Sequence, residues 1–177
     1  DETTQIDLDY NKLSLDFLTA MGCCHTLTPI FSNGGISGNM VEKVMFQTSG
    51  WQLPTRQQPD VLIAPQATGL GNAKVLRLFE FDHNRMNSGV IVELNGKKIC
   101  FFKGAYEAIE QLASSGVPSD YKKVTDQWGN DAYYILAVAG KEIPNSVNEQ
   151  ELSREEAEKG LSMKGLLLFR NEMRPEA

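Results

Sequence analysis

The sequence predicts an α+β fold in which a twisted antiparallel sheet of six or seven strands is flanked by helices. The first observation is a hairpin. Residues 90–94 and 99–102 are rich in β-branched and aromatic side chains, and Asn95-Gly96 between them is a strong turn signal. The second is that segments with helical spacing and capping residues alternate with further strand-like runs.

Two helices are predicted before the first strand. Residues 10–23 carry an apolar face typical of a helix, formed by Leu13, Phe17, Leu18 and Met21. A loop rich in glycine and serine follows. A second helix opens within residues 38–46, where Asn39 precedes Glu42 by three positions, the spacing of a capping box.

The central strands are predicted at residues 60–64 and 75–81, and the hairpin follows them. Its second strand brings Lys103 to a strand end. Gly104 and Ala105 leave little side chain beside that ammonium, so a ligand can approach the backbone closely. The sequence therefore allows an anion site here, although a solvated surface lysine is the plainer interpretation of Lys103 alone.

The C-terminal part of the chain alternates helices and strands. Helices are predicted over residues 106–114, from Pro118 to Gly129-Asn130, and after Ser153, which begins a capping box. Strands are predicted at residues 133–142 and 163–169.

Length and charge restrict the class of protein. The chain has 177 residues, which is the size of one domain with a single core. We therefore expect one domain over residues 1–177, and a monomer. A net charge of −6 without a block of lysines or arginines argues against a nucleic-acid partner, since phosphate-binding surfaces need a basic stripe.

The apolar runs and the cysteines indicate the compartment. No run approaches the roughly 20 apolar residues that cross a bilayer, and the first residues lack the order of a signal peptide. Three cysteines, two of them adjacent at Cys23 and Cys24, make a poor disulfide framework and favour a reducing compartment. These patterns predict a soluble domain in a reducing, cytosolic environment.

Four motifs resemble the nucleotide-binding domain of P-type ATPases when they are taken in order. They are Met21-Gly22-Cys23-Cys24-His25-Thr26-Leu27-Thr28, the 38–46 segment, Phe79-Glu80-Phe81, and Lys103-Gly104-Ala105. The chain is most similar to the fifth class of these proteins, which includes endolysosomal polyamine and cation transporters. In that class, variants of Lys-Gly-Ala-Pro-Glu and Met-Ala-Thr-Cys-His-Ser-Leu-Thr occupy the corresponding places.

The resemblance implies a site for ATP, which would arrive as its Mg²⁺ complex. It implies that Phe81 stacks on adenine, that the Glu42 carboxylate meets the edge of the base, and that Lys103 lies at the mouth of the pocket with Gly104 and Ala105 beside it. Because Glu42 also has capping-box spacing, helix capping is an alternative role for its carboxylate.

The sequence departs from the family pattern at three places. Relatives often carry a basic residue a few positions after the stacking phenylalanine. Here His83 and Arg85 are the groups available, and we expect Arg85 to contact phosphate. Tyr134 stands where the family has a second arginine, and Tyr106 stands where proline follows Lys-Gly-Ala.

The resemblance also implies a role within a larger protein. Asp-Lys-Thr-Gly-Thr, which carries the phosphorylated aspartate in P-type ATPases, does not occur here, nor does the Gly-Asp-Gly magnesium loop. The chain should therefore not turn over ATP alone. We expect it to present the γ-phosphate to a separate phosphorylation domain, to contact that domain and the actuator domain, and to drive cation or polyamine transport at an endomembrane. Residues 170–177 resemble the return to the phosphorylation domain.

Three other interpretations follow from the sequence. The altered residues at Tyr134 and Tyr106 allow a regulatory, non-catalytic module with a degenerate pocket. Asp7 and Asp9 resemble the paired aspartates of haloacid dehalogenase hydrolases, although no buried strand precedes them. A zinc site at Cys23, Cys24 and His25 is disfavoured, because backbone neighbours rarely converge on one ion.

Overall fold

A computed structural model describes residues 14–170, which form a seven-stranded sheet, a separate two-stranded hairpin and five helices. The helices are α1 Leu15–Cys23, α2 Met40–Ser49, α3 Tyr106–Leu112, α4 Tyr121–Asn130 and α5 Arg154–Glu158. The strands are β1 Thr28–Ile30, β2 Gly35–Ser37, β3 Val61–Leu62, β4 Ala73–Asp82, β5 Asn87–Leu94, β6 Lys97–Ala105, β7 Ala113–Ser115, β8 Tyr133–Ile143 and β9 Leu161–Arg170.

The strands of the large sheet lie in the order β3-β4-β5-β6-β8-β9-β7. All neighbours are antiparallel except β7, which runs parallel to β9 at the edge. β1 and β2 pair with each other as a separate hairpin. The predicted α+β class with a helix-flanked sheet is confirmed, and the parallel edge pair is the one departure from a wholly antiparallel sheet.

Side chains on the two faces of the sheet form two cores. Phe101 packs with residues of α1 and α2, including Phe17 and Met45. Its neighbour Phe102 points to the opposite face and packs with Ile109 of α3 and residues of α4 and α5. Successive strand residues alternate between faces, so one strand supplies both cores.

Short-range signals explain where several elements begin and turn. Asn39 caps α2, since its side chain accepts a hydrogen bond from the Glu42 N–H, and Ser153 caps α5 in the same way. Asn95 and Gly96 have φ values of 52° and 76°. A two-residue turn with both φ values positive matches the twist of the flanking strands, which explains the β5–β6 hairpin.

The structure differs from the sequence prediction in three local respects. α1 begins after Ser14, which caps it, and residues 10–13 of the predicted helix lie outside the described residues. The expected glycine- and serine-rich loop contains β1 and β2. The helix predicted to reach residue 114 ends at Leu112, because Ala113 begins β7.

Within residues 14–170, no helix is both long enough and apolar enough to span a membrane.

Candidate functional site

A cleft of about 260 Å³ opens at one end of the sheet, where β4, β6 and β8 finish or begin. The pairing register brings these strands together, since Ser88 lies opposite Lys103 and Ala105 lies opposite Leu136. The cleft is lined by Phe81, Met86, Ala105, Tyr106, Glu107, Gly129, Tyr133, Tyr134, Ile135 and Leu136. The structure thus places the ends of Phe79-Glu80-Phe81 and Lys103-Gly104-Ala105 in one cleft.

Large apolar side chains at this cleft are unusually exposed. Phe81 is 49% exposed, Met86 45% and Tyr134 56%. Phe81 makes an edge-on contact with His83, with 5.1 Å between the ring centroids. Exposed apolar surface that clusters in a concave place is typical of a binding site, because an isolated domain gains nothing by leaving it in water.

Lys103 is buried and paired, not solvated. Its Nζ donates to Glu42 Oε2 at 2.8 Å and to the Cys24 carbonyl oxygen at 2.9 Å. The residue is 5% exposed and does not line the cleft, although Ala105 two positions on does. Phe81 and Lys103 lie on strands separated by β5, so their backbones are about 10 Å apart.

The Glu42 carboxylate is engaged by other side chains of the protein, and its contact with adenine stays a prediction. Glu42 lies in the first turn of α2, where its N–H donates to Asn39 Oδ1 at 2.8 Å. Its carboxylate faces β6 and pairs with Lys103, and Oε1 also accepts from Asn39 Nδ2 and Thr26 Oγ1. α2 therefore holds a buried carboxylate against the second strand of the hairpin.

Gly104 allows the closest backbone approach near the cleft. A Cβ atom at this position would lie 2.1 Å from the Met86 carbonyl oxygen and 2.8 Å from the Asn87 Cα. The Ala105 N–H donates to the same Met86 carbonyl at 3.1 Å. Gly104 thus lets the β4–β5 turn pack directly on β6.

Arg85 lies in the turn between β4 and β5, and its guanidinium points to α5. It contacts Glu158 directly, Glu155 at 3.7 Å and Asp82 at 3.9 Å. The N–H groups of Arg85 and Asn84 bond to Asp82 and hold the pKa of that carboxyl below its ordinary value. The structure thus directs Arg85 toward carboxylates, and Arg85 does not line the cleft.

Sequence reasoning missed the partners of this turn. Glu158 is 4% exposed and accepts a hydrogen bond from Asn87 Nδ2 at 3.0 Å. Arg154 donates to the Glu80 carbonyl oxygen at 2.8 Å and to the Asn87 carbonyl oxygen at 2.9 Å. Glu158 lies 73 positions after Arg85, and no local pattern signals that contact.

The cysteines and His25 behave as core residues. Burial raises the pKa of Cys24 to about 11 and that of Cys100 to about 12. Burial also lowers the pKa of His25 to about 4, where Nε2 donates to the Gly22 carbonyl oxygen and Nδ1 accepts from the Leu27 N–H. Across residues 14–170, no three His, Cys, Asp or Glu side chains are grouped so as to hold a metal ion. Asp7 and Asp9 lie outside the described residues.

A larger groove of about 710 Å³ lies elsewhere, between the β1–β2 hairpin and the segment after α2. Phe31 and Trp51 line it, and Arg56 stacks 4.9 Å over the ring of Phe31. None of its walls comes from β4, β5, β6 or β8. It shares no residue with the cleft at Phe81, which remains the candidate site.

Comparison with known proteins gives a consistent set of relatives. No protein-family model matches the chain. The chain is 26% identical to a vacuolar cation-transporting ATPase of Saccharomyces cerevisiae, with 92% of this chain and 14% of that protein aligned. It is 28% identical to an endoplasmic reticulum transmembrane helix translocase of Schizosaccharomyces pombe, with 93% and 14% aligned. It is 27% identical to a polyamine-transporting ATPase of Mus musculus, with 90% and 15% aligned.

The chain thus spans about one seventh of the length of these relatives. The matches extend over nearly all of this chain, and several of the matching proteins are named as cation-transporting ATPases. The resemblance that the motifs predicted is therefore confirmed: the chain is homologous to a segment of the P-type cation-transporting ATPases.

Proposed function

We propose that this chain is the ATP-binding domain of a P-type transport ATPase. It holds adenine in the cleft at Phe81 and presents the γ-phosphate to an aspartate on a separate phosphorylation domain. The observation that carries the proposal is the exposed aromatic cleft beside Lys103-Gly104-Ala105, in a chain whose relatives are named ATPases.

The shape and chemistry of the cleft suit a purine. An adenine ring is flat and weakly polar, so it needs an aromatic or apolar face and a few polar groups at its edge. Phe81, Met86 and Tyr134 offer half-exposed apolar surface, and Ala105 leaves the floor open. Stacking of a base on an aromatic side chain contributes about 1–3 kcal/mol.

The roles of Lys103 and Glu42 at the nucleotide stay predictions, because both are buried, pair with each other and lie outside the lining of the cleft. Two of the three ammonium donors of Lys103 have protein partners, Glu42 and the Cys24 carbonyl, which leaves one donor for a ligand. The Glu42 carboxylate, held by α2, would accept from the exocyclic amine of the base. A contact between Gly104 and the nucleotide also stays a prediction, because the β4–β5 turn packs directly on this glycine. Arg85, which the sequence led us to expect at the phosphates, pairs instead with Glu158.

The remaining steps need parts that this chain does not supply. Phosphoryl transfer requires nucleophile, magnesium and phosphate in line, and Mg²⁺ would arrive with ATP. A hinge motion would bring the bound nucleotide to the phosphorylation domain and its actuator partner. We infer that the full protein uses this cycle to move a cation or polyamine, with the domain on the cytosolic face of an endomembrane.

The charge of the cleft supports one alternative, a regulatory module with a degenerate pocket. Tyr134 and Tyr106 line the cleft, and Glu107 is the one charged side chain on the walls that the structure describes. Lys103 and Arg85 are both engaged by carboxylates. A module of this kind would keep the fold and its contacts with other domains, and it would not bind ATP.

A calorimetric titration distinguishes the two functions. The ligand is MgATP, and the protein is the purified chain, its Phe81→Ala variant and its Leu78→Ala variant. Leu78 is a matched control, because it is 47% exposed on the same strand and does not line the cleft. We expect the parent to bind, Phe81→Ala to weaken binding about tenfold, and Leu78→Ala to bind like the parent. No binding to the parent, or equal losses in both variants, would contradict the proposal.

A further inference from the structure

An arginine in the β4–β5 turn pairs with a buried carboxylate on α5. Arg85 precedes Met86, which lines the cleft, and its guanidinium is drawn to Glu158. Glu158 is 4% exposed and lies on α5. The ion pair therefore holds the Arg85 guanidinium at Glu158.

The surrounding charges leave little of the positive charge of Arg85 for a ligand. Arg85 and Arg154 share Glu158, and Arg85 also contacts Asp82 and Glu155. These five side chains comprise three carboxylates and two guanidiniums, so together they carry one net negative charge. A polyphosphate that approached this rim would meet a compensated arginine and excess negative charge, which disfavours it.

Arg154 does not offer a polyphosphate the positive charge that Arg85 lacks. Its Nη1 donates to the Glu80 carbonyl oxygen, and its Nη2 donates to the carbonyl and side-chain oxygens of Asn87. The guanidinium also stacks over Phe79, with 5.8 Å to the ring centroid. These contacts tie α5 to the backbone of β4 and β5, so Arg154 has a structural use.

We infer that Glu158 determines how strongly this cleft distinguishes ATP from adenosine, because it withholds Arg85 from the polyphosphate. The inference rests on the proposed function, since it concerns the same cleft. In the parent chain the base and ribose supply most of the affinity, and the phosphates add little. Neutralising Glu158 releases the Arg85 fork, which suits phosphate oxygens, and the preference for ATP rises.

The test is the ratio of the adenosine dissociation constant to the ATP dissociation constant, measured by calorimetry. Glu158→Gln removes the charge and keeps the shape of the side chain. Glu156→Gln is the matched control, because Glu156 lies on the same helix and pairs with Lys159 at 3.2 Å. In the double variant Arg85→Ala/Glu158→Gln, any gain that depends on Arg85 disappears.

We expect a ratio within about threefold of unity for the parent and for Glu156→Gln. We expect the ratio to rise about tenfold in Glu158→Gln, the size of one charge-assisted hydrogen bond, and to return to the parent value in the double variant. A ratio unchanged in Glu158→Gln, or a gain that survives loss of Arg85, would overturn the inference.

The parent alone gives a second test that does not depend on how well a variant folds. A parent ratio above about thirtyfold would show that another cation meets the phosphates, for example Arg170, which lies 5.6 Å over the ring of Tyr133. That result overturns the inference and leaves the proposed function standing. If the parent binds neither ligand, the proposed function fails and this inference fails with it.

Discussion

The Lys103–Glu42 ion pair predicts a large and asymmetric stability effect. The two side chains are 6% and 9% exposed, and Nζ lies 2.8 Å from Oε2. Replacing Lys103 by methionine keeps the apolar stem and removes the ammonium, so a buried carboxylate loses its counter-charge. Losing one partner of a buried pair costs about 3–5 kcal/mol. Because Thr26 and Asn39 still donate to Glu42, we expect Lys103→Met to lower the free energy of unfolding by about 3 kcal/mol.

A double variant, which completes a double-mutant cycle, replaces both residues of the Lys103–Glu42 pair. In Lys103→Met/Glu42→Gln no uncompensated charge remains, and we expect a free energy of unfolding within about 1 kcal/mol of the parent. The matched control is Lys159→Met. Lys159 and Glu156 form a pair at 3.2 Å, but their side chains are 72% and 60% exposed. Solvent screens such a pair, so its loss should cost at most about 0.5 kcal/mol.

Equilibrium unfolding in urea measures all four proteins, with tryptophan fluorescence as the probe. Trp51 is 3% exposed, so its emission should change on unfolding. A cost of less than about 1 kcal/mol for Lys103→Met, or a double variant no more stable than the single one, would contradict this role of the ion pair. The same data show whether a loss of ATP binding in a Lys103 variant reflects the ligand contact or the fold.

Three further predictions concern the core. Burial lowers the pKa of His25 from 6.5 to about 4. Between these two pH values the unfolded state binds a proton at His25 and the folded state does not, so the free energy of unfolding falls as the pH drops from 6.5 to about 4. Urea unfolding should show a loss of about 2 kcal/mol between pH 7 and pH 5, and the loss should be smaller in His25→Gln. Gly104→Ala, with its Cβ 2.1 Å from a carbonyl oxygen, should cost about 2–3 kcal/mol in a thermal melt, whereas Gly129→Ala, with nothing within 4 Å, should not destabilise. Because burial raises the pKa of Cys24 to about 11, iodoacetamide at pH 8 should modify it about a hundredfold more slowly in the folded chain than in urea; equal rates would contradict its burial.

Local patterns were enough to predict much of the fold. Asn95-Gly96 specifies the β5–β6 hairpin because both residues accept positive φ values. Asn39 and Ser153 start helices because their side chains satisfy free backbone N–H groups. Three-residue strands such as β1 and β7 carry too little pattern to be recognised.

The sequence predicted the residue types of the candidate site but not their contacts. Its residues come from separate strands, and contacts across the sheet decide what each one does. The burial of Lys103 depends on α2, which lies 61 positions earlier in the chain at Glu42. The direction of Arg85 depends on Glu158, 73 positions later. Sequence spacing identified the residue types, while tertiary packing determined which charges remain available to a ligand.

The most direct test of the central claim is a nuclear magnetic resonance titration of the ¹⁵N-labelled chain with MgATP. We expect the largest amide shifts at residues around the cleft at the end of the sheet, namely Phe81, Met86, Ala105 and Tyr134. Shifts confined to the groove at Phe31 and Trp51, or no shifts at saturating nucleotide, would contradict that claim.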